Sequence, residues 1–131
     1  MELSNHYTEL PRLKEALHRY CHLRGLPSNV VFALDLSLDE ILTNVISYGY
    51  DDDDEHRISV KFHSDVGFVE VEVRDDGKPF NPLEHLPPNI ECPIDKRQIG
   101  GLGIHLVRAY MDELHYKREG EFNCFTMRKK L

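Results

Sequence analysis

The 131-residue chain carries 23 Asp and Glu against 16 Lys and Arg, a formal net charge of −7. That balance argues against nucleic-acid binding, which needs a basic surface to neutralise phosphates. No apolar run approaches the roughly 18 residues of a membrane span, and the N-terminus lacks a basic-then-apolar signal pattern, so a cytoplasmic protein without membrane contact is expected.

The length suits one domain with its own core, expected to occupy residues 1–131. Met1 to Asn5 reads as a short edge strand. Leu10, Leu13, Leu17, Tyr20 and Cys21 then recur as the apolar stripe of a helix that breaks at Arg24-Gly25-Leu26-Pro27. A second helix is predicted from about Asn29 to Tyr48, with Ser28 as the candidate N-cap. Asp51 to Glu55 is a charge run whose adjacent aspartates repel one another and remain hydrated, as in a solvated turn.

Ile58, Val60 and Phe62 alternate as a strand, and Ser64-Asp65-Val66-Gly67 forms the turn into a second strand, Phe68 to Arg74. Pro79, Pro82, Pro87, Pro88 and Pro93 keep the run from Pro79 to Ile99 from being regular helix or central strand. A long irregular stretch of this kind reads as a functional lid. A third helix from Leu102 to Met111 and strands near Leu114–Arg118 and Phe122–Arg128 follow. Helices and strands that are partly segregated favour α+β, a two-layer sandwich with three helices on one face of a mostly antiparallel sheet.

Cys21, Cys92 and Cys124 are an odd number at wide spacing, which indicates neither a disulfide framework nor a zinc site. Cys21 and Cys124 are expected to line the core. His18 and His22 lie four apart on the first helix but lack a third ligand in a matching motif, so no metal is assigned to them.

Three motifs carry the chemistry. On the second helix Glu40 and Asn44 stand one turn apart on the same face. Such a pair is either a solvated polar edge or a site where a carboxylate takes a proton and a carboxamide oxygen binds Mg²⁺. The strand Val69-Glu70-Val71-Glu72-Val73-Arg74 runs into Asp75-Asp76-Gly77. This is a plain turn, or else Asp75 accepts a hydrogen bond from an exocyclic amine while Gly77 leaves room for a flat ring. Finally, Gly100-Gly101-Leu102-Gly103 opens directly onto an apolar helical pattern. It is a loop-to-helix turn or a phosphate cradle, where free N–H groups and the positive end of the helix dipole meet an anion. Lys96 and Arg97, just before the glycines, are ordinary surface cations or partners for phosphate oxygens. Gly-x-x-x-x-Gly-Lys-[Ser/Thr] is absent, and Gly101-Leu102-Gly103 lacks the third glycine and the strand context of a dinucleotide fingerprint.

Taken in order, Glu-x-x-x-Asn on a helix, strand-Asp-x-Gly, an irregular loop and Gly-x-Gly on a helix resemble the GHKL ATPases. The resemblance covers nearly the whole chain from about Leu34. In detail, Asp75-Asp76-Gly77-Lys78-Pro79-Phe80-Asn81-Pro82 and Gly100-Gly101-Leu102-Gly103-Ile104-His105-Leu106-Val107 are similar to the motifs of the bacterial serine/threonine kinases that act as anti-sigma factors in partner switching. The resemblance implies the Bergerat fold, ATP and Mg²⁺ as cofactors, an ATP lid at about residues 79–100, and a homodimer. It further implies that Glu40 is the catalytic base, Asn44 the Mg²⁺ ligand, Asp75 the adenine reader, and Gly101 and Gly103 part of the phosphate-binding segment. The implied partners are a sigma factor and an anti-anti-sigma protein of the STAS type, phosphorylated on serine. Many relatives carry His where this chain has Tyr48. A different class of function, a nucleotide-gated protein-binding module with little or no phosphotransfer, needs no base at Glu40.

Overall fold

A computed structural model of the chain describes residues 1–84 and 101–131, with side chains described from residue 104 onward in the second stretch. Helix α1 (Leu10–Arg24) buries Leu13, Leu17 and Cys21, the one-turn repeat read from the sequence. It ends where Gly25 turns left-handed at φ 65°, with Gly25 N–H bonded to the His22 carbonyl and Leu26 N–H to the Cys21 carbonyl. Glycine adopts that φ without the Cβ clash other residues meet, and the paired bonds satisfy the last carbonyls of the helix.

Helix α2 (Ser28–Tyr48) buries Val30, Ala33, Leu34, Ser37, Leu38, Ile41, Leu42 and Asn44 along one face. The helix begins one residue earlier than the sequence predicts. Pro27, extended at ψ 155°, holds the cap position and its carbonyl accepts the N–H groups of Val30 and Val31. Ser28 is therefore the first helical residue and not the cap. Helix α3 (Gly101–Tyr110) packs on α2 and contributes buried Ile104 and Val107, with Met111 just beyond its end.

The five strands β1 (Glu2–Ser4), β2 (Arg57–Asp65), β3 (Phe68–Asp75), β4 (Glu113–Glu119) and β5 (Phe122–Lys130) form one sheet in the order β1-β2-β3-β5-β4. Every neighbouring pair is antiparallel, and β1 lies at an edge, as expected. Strand side chains alternate between faces, so Ile58, Val60, Val69, Val71, Val73, Phe125 and Met127 join the helices in a single core. The other face is polar: Arg128 lies 4.1 Å over the Phe68 ring beside Glu70, and Arg74 lies 4.3 Å over Phe122.

The same alternation corrects one expectation about the cysteines. Cys21 lies in the core, whereas Cys124, between inward-facing Asn123 and Phe125, is buried on the opposite side of β5. Register places Asp75, the last residue of β3, between Ile58 of β2 and Asn123 of β5. The strand that the sequence ends at Arg74 thus runs one residue further and carries Asp75 inward.

Candidate nucleotide site

Asp75 is only 5% exposed because it continues the inward series Val69, Val71, Val73. Its Oδ1 accepts the Gly77 N–H at 2.9 Å and an Asn123 Nδ2 hydrogen at 3.0 Å. Burial pushes the Asp75 carboxyl above its ordinary range, while the Asn123 and Gly77 donors and the Arg118 charge pull the other way. Arg118 also donates to the Gly77 carbonyl at 2.8 Å, bracing the turn from β4. Among the described residues no donor falls on Asp75 Oδ2, which is left as an acceptor for a ligand amine.

Gly77 is constrained by its neighbours. A β-carbon there would sit 2.6 Å from the Gly49 carbonyl oxygen and 2.9 Å from Asp75 Oδ1, distances no side chain tolerates. The room that the sequence reading reserved for a flat ring is, on that side, taken up by the end of α2. Lys78 N–H bonds to the same Gly49 carbonyl at 2.8 Å, so the turn after β3 is docked on the helix carrying Glu40 and Asn44.

Asn44 is 6% exposed and lines a cavity of about 20 Å³ together with Asp75, Lys78, Phe80, Tyr116 and Asn123. That space is of the order of one water molecule. An adenine ring is several times larger, so this cavity by itself does not hold one. No hydrogen bond ties the Asn44 carboxamide to a described residue. A largely buried carboxamide oxygen suits a hard cation such as Mg²⁺, which keeps waters and substrate phosphates as its other ligands and needs no protein cage.

Glu40 stands one turn before Asn44, half-buried, and does not line that cavity. Partial burial, with the nearby Asp39 charge, raises its carboxyl above the ordinary range, the direction that makes a carboxylate a better base near neutral pH. Gly101 and Gly103 fall in the first turn of α3, which starts one residue before the Leu102 expected from the sequence and ends one before Met111. Lys96 and Arg97 lie outside the described residues, as does the expected lid from residue 85 to residue 100. Of its beginning, Pro82–Glu84 forms one 3-10 turn whose Leu83 carbonyl accepts a hydrogen bond from Arg108 of α3 at 2.7 Å.

Several residues at the site escaped the sequence reading. Asn123 interrupts the apolar inward series Phe125, Met127 of β5, and that polar break is the signal that marks it. Tyr116 joins it from β4. The Asp-rich run is exposed, as expected, yet it is tied down: Asp52 bonds His56 at 2.7 Å and Asp51 pairs with Lys78 at 2.9 Å. His56 also meets Asp76 at 3.4 Å and stacks on Tyr50 at 4.2 Å between ring centres. Burial and the Asp75 and Asp76 charges push the Tyr50 phenol well above its ordinary value.

A three-helix layer on an antiparallel sheet, with an inward acid ending the central strand and a carboxamide on the facing helix, defines an ATPase domain of the GHKL type. The model of the histidine kinase-like ATPase domain family matches residues 3–129, and the chain belongs to that family. Among curated relatives, the serine/threonine-protein kinase BtrW of Bordetella bronchiseptica is 29% identical over 96 residues, covering 73% of this chain and 68% of the relative. The serine-protein kinase RsbW of Oceanobacillus iheyensis is 28% identical over 102 residues, 74% of this chain and 63% of the relative. RsbW of Listeria innocua is 27% identical over 119 residues, 87% and 74% of the two chains. The chain thus spans about two thirds of the length of these kinases. Among solved structures, the histidine kinase domain of the Erythrobacter litoralis blue-light activated histidine kinase EL346 superposes with a TM-score of 0.61 at 20% identity, covering 95% of this chain and 60% of that one. That likeness is one of fold.

Proposed function

We propose that the chain is an ATP-dependent protein serine/threonine kinase that works as a bacterial anti-sigma regulator, a single catalytic domain over residues 1–131. The observation that carries the reading is the docking of the Asp75–Gly77 turn on the end of α2, which brings the Asp75 carboxylate and the Asn44 carboxamide to one cavity. Membership of the ATPase family and the kinase names of the relatives support it.

In this mechanism Asp75 takes the exocyclic amine of adenine. Asn44 would hold Mg²⁺, which supplies charge neutralisation at the phosphates. The amides near Gly101 and Gly103 cradle phosphate oxygens at the positive end of α3, with Lys96 or Arg97 as further cationic partners. Glu40 accepts the proton of the attacking serine hydroxyl. Phosphoryl transfer demands mainly positioning and charge neutralisation, so this short set of groups is sufficient.

The proposed partners are a sigma factor, held in an inhibited complex, and an anti-anti-sigma protein of the STAS type as phosphoacceptor. A homodimer acting in the cytoplasm rests on the resemblance to the anti-sigma kinases. No helix among the described residues is long and apolar enough to cross a membrane. Incubating the protein with labelled ATP and single-domain candidate acceptors is the test. Label on an acceptor serine supports the kinase, while nucleotide-dependent complex formation without label assigns the chain to nucleotide-gated binding instead.

A further inference from the structure

Asn123 occupies the register position on β5 directly opposite Asp75 and is 5% exposed. Its Nδ2 donates to Asp75 Oδ1 at 3.0 Å and to the Lys78 carbonyl at 2.7 Å. Its Oδ1 accepts the Tyr116 hydroxyl at 2.6 Å and the Phe80 N–H at 3.3 Å. Two donors and two acceptor lone pairs are the whole capacity of a carboxamide, and all four are used. The orientation is fixed by chemistry: turning the amide over would aim its oxygen at a carboxylate and a carbonyl, and its N–H groups at a backbone N–H. No other side chain of similar size supplies this set. Aspartate would face Asp75 with a second charge, threonine has a single donor, and leucine would remove all four of these hydrogen bonds.

We propose that Asn123 is the positioning residue for base recognition, holding Asp75 by one oxygen so that the other is presented to the adenine amine, and fixing residues Lys78 and Phe80 beside it. This rests on the reading of Asp75 as the base-contacting acid. The proposal separates the two carboxylate oxygens by task. Oδ1 is committed to the protein by Gly77 and Asn123, and Oδ2 remains for the ligand. The same amide links strand β5, the turn after β3 and, through Tyr116, strand β4, so the acid is held from three sides. Loss of the amide frees the carboxylate to rotate and raises its proton affinity, since the Asn123 hydrogen bond is one of the influences that hold it down.

Calorimetric titration of the full chain with Mg·ATP and Mg·GTP, for the wild type, Asn123→Thr and Asn123→Ala, tests this. The wild type should prefer ATP. Both variants should lose roughly tenfold or more in ATP affinity, the size expected for a lost hydrogen bond to a charged group, while GTP affinity stays put and the preference collapses. In parallel, NMR titration of the Asp75 carboxyl should show its midpoint moving upward in Asn123→Thr. A residue with a merely structural part would lower melting temperature without moving either the ATP-to-GTP ratio or the Asp75 midpoint, and that result overturns the proposal. A wild type that binds both nucleotides equally overturns the Asp75 reading itself and this inference with it. Should neither variant fold, the Asn123 side-chain amide resonances of the unaltered chain decide: they should shift on saturation with ADP but not GDP, and no shift with ADP rejects the assignment.

Discussion

A β-carbon on Gly77 would lie 2.6 Å from the carbonyl oxygen of Gly49. The two glycines join the end of the strand bearing Asp75 to the end of the helix bearing Asn44, and Lys78 N–H closes the contact at 2.8 Å. Geometry between the acid and the carboxamide therefore depends on a backbone-to-backbone approach that any side chain would wedge apart.

Gly77→Ala should accordingly weaken both fold and ligand binding. Relief of an overlap this close forces the turn away from α2, at about 1–3 kcal/mol of stability by analogy with overpacked cores. A lowered melting temperature together with reduced Mg·ATP affinity by calorimetry is the expected pair. An alanine variant with wild-type values of both would mean that the turn is free to move.

Asp75→Ala should abolish ATP binding while cooperative melting is retained, because the change removes a buried carboxylate whose burial already opposes its charge. The position-6 oxygen of guanine cannot donate to a carboxylate, so GTP should bind far more weakly than ATP to the wild type. Equal affinities for the two nucleotides would sink the assignment of Asp75 as adenine reader.

Glu40 and Asn44 should separate when mutated. Glu40→Gln should keep Mg·ATP binding and slow single-turnover transfer by about 10²- to 10⁴-fold, the usual share of a general base. Asn44→Ala should weaken the Mg²⁺-dependent part of binding itself. Glu40 must be ionised to accept a proton, and partial burial beside Asp39 raises its carboxyl. The transfer rate should then rise with pH through a midpoint above the ordinary carboxylate value, and that limb should vanish in Glu40→Gln. An unchanged rate in Glu40→Gln removes Glu40 as the base.

His56 should make stability depend on pH near neutrality. Hydrogen bonding to Asp52 first, and then to Asp76, raises its pKa above the ordinary value, while its stacking partner Tyr50 stays neutral. For a histidine raised on folding, the contribution is fully present below about pH 6.5 and is lost as pH climbs through the higher folded-state value. Thermal melts across that window should show a falling contribution that His56→Gln flattens. Parallel curves for the two proteins would show that the clamp carries no linkage.

How much was legible in the sequence follows from which interactions are local. Helices α1 and α2, the alternation of β2 and β3 and the start of α3 were readable because periodicity reports one buried face, whatever that face meets. Segregated helices and strands gave the α+β class for the same reason. The placement of Glu40 and Asn44 one turn apart, and of Asp75 at a strand end, needed nothing beyond helix and strand geometry. The sequence also determined that Gly25 would end a helix, since only φ and local bonds are involved there.

The tertiary structure decided everything that rests on strand order and close approach. Asn123 lies 48 residues from Asp75 and meets it only because β5 is inserted between β3 and β4. Cys124 faces away from the core because pairing register, and not hydrophobicity, sets its side of the sheet. Ser28 lost the cap because Pro27, already extended, supplies the carbonyl that starts α2. Gly77 reads in sequence as a permissive turn residue, yet what requires it is a carbonyl from another element, and no pattern in a linear chain records an approach of that kind.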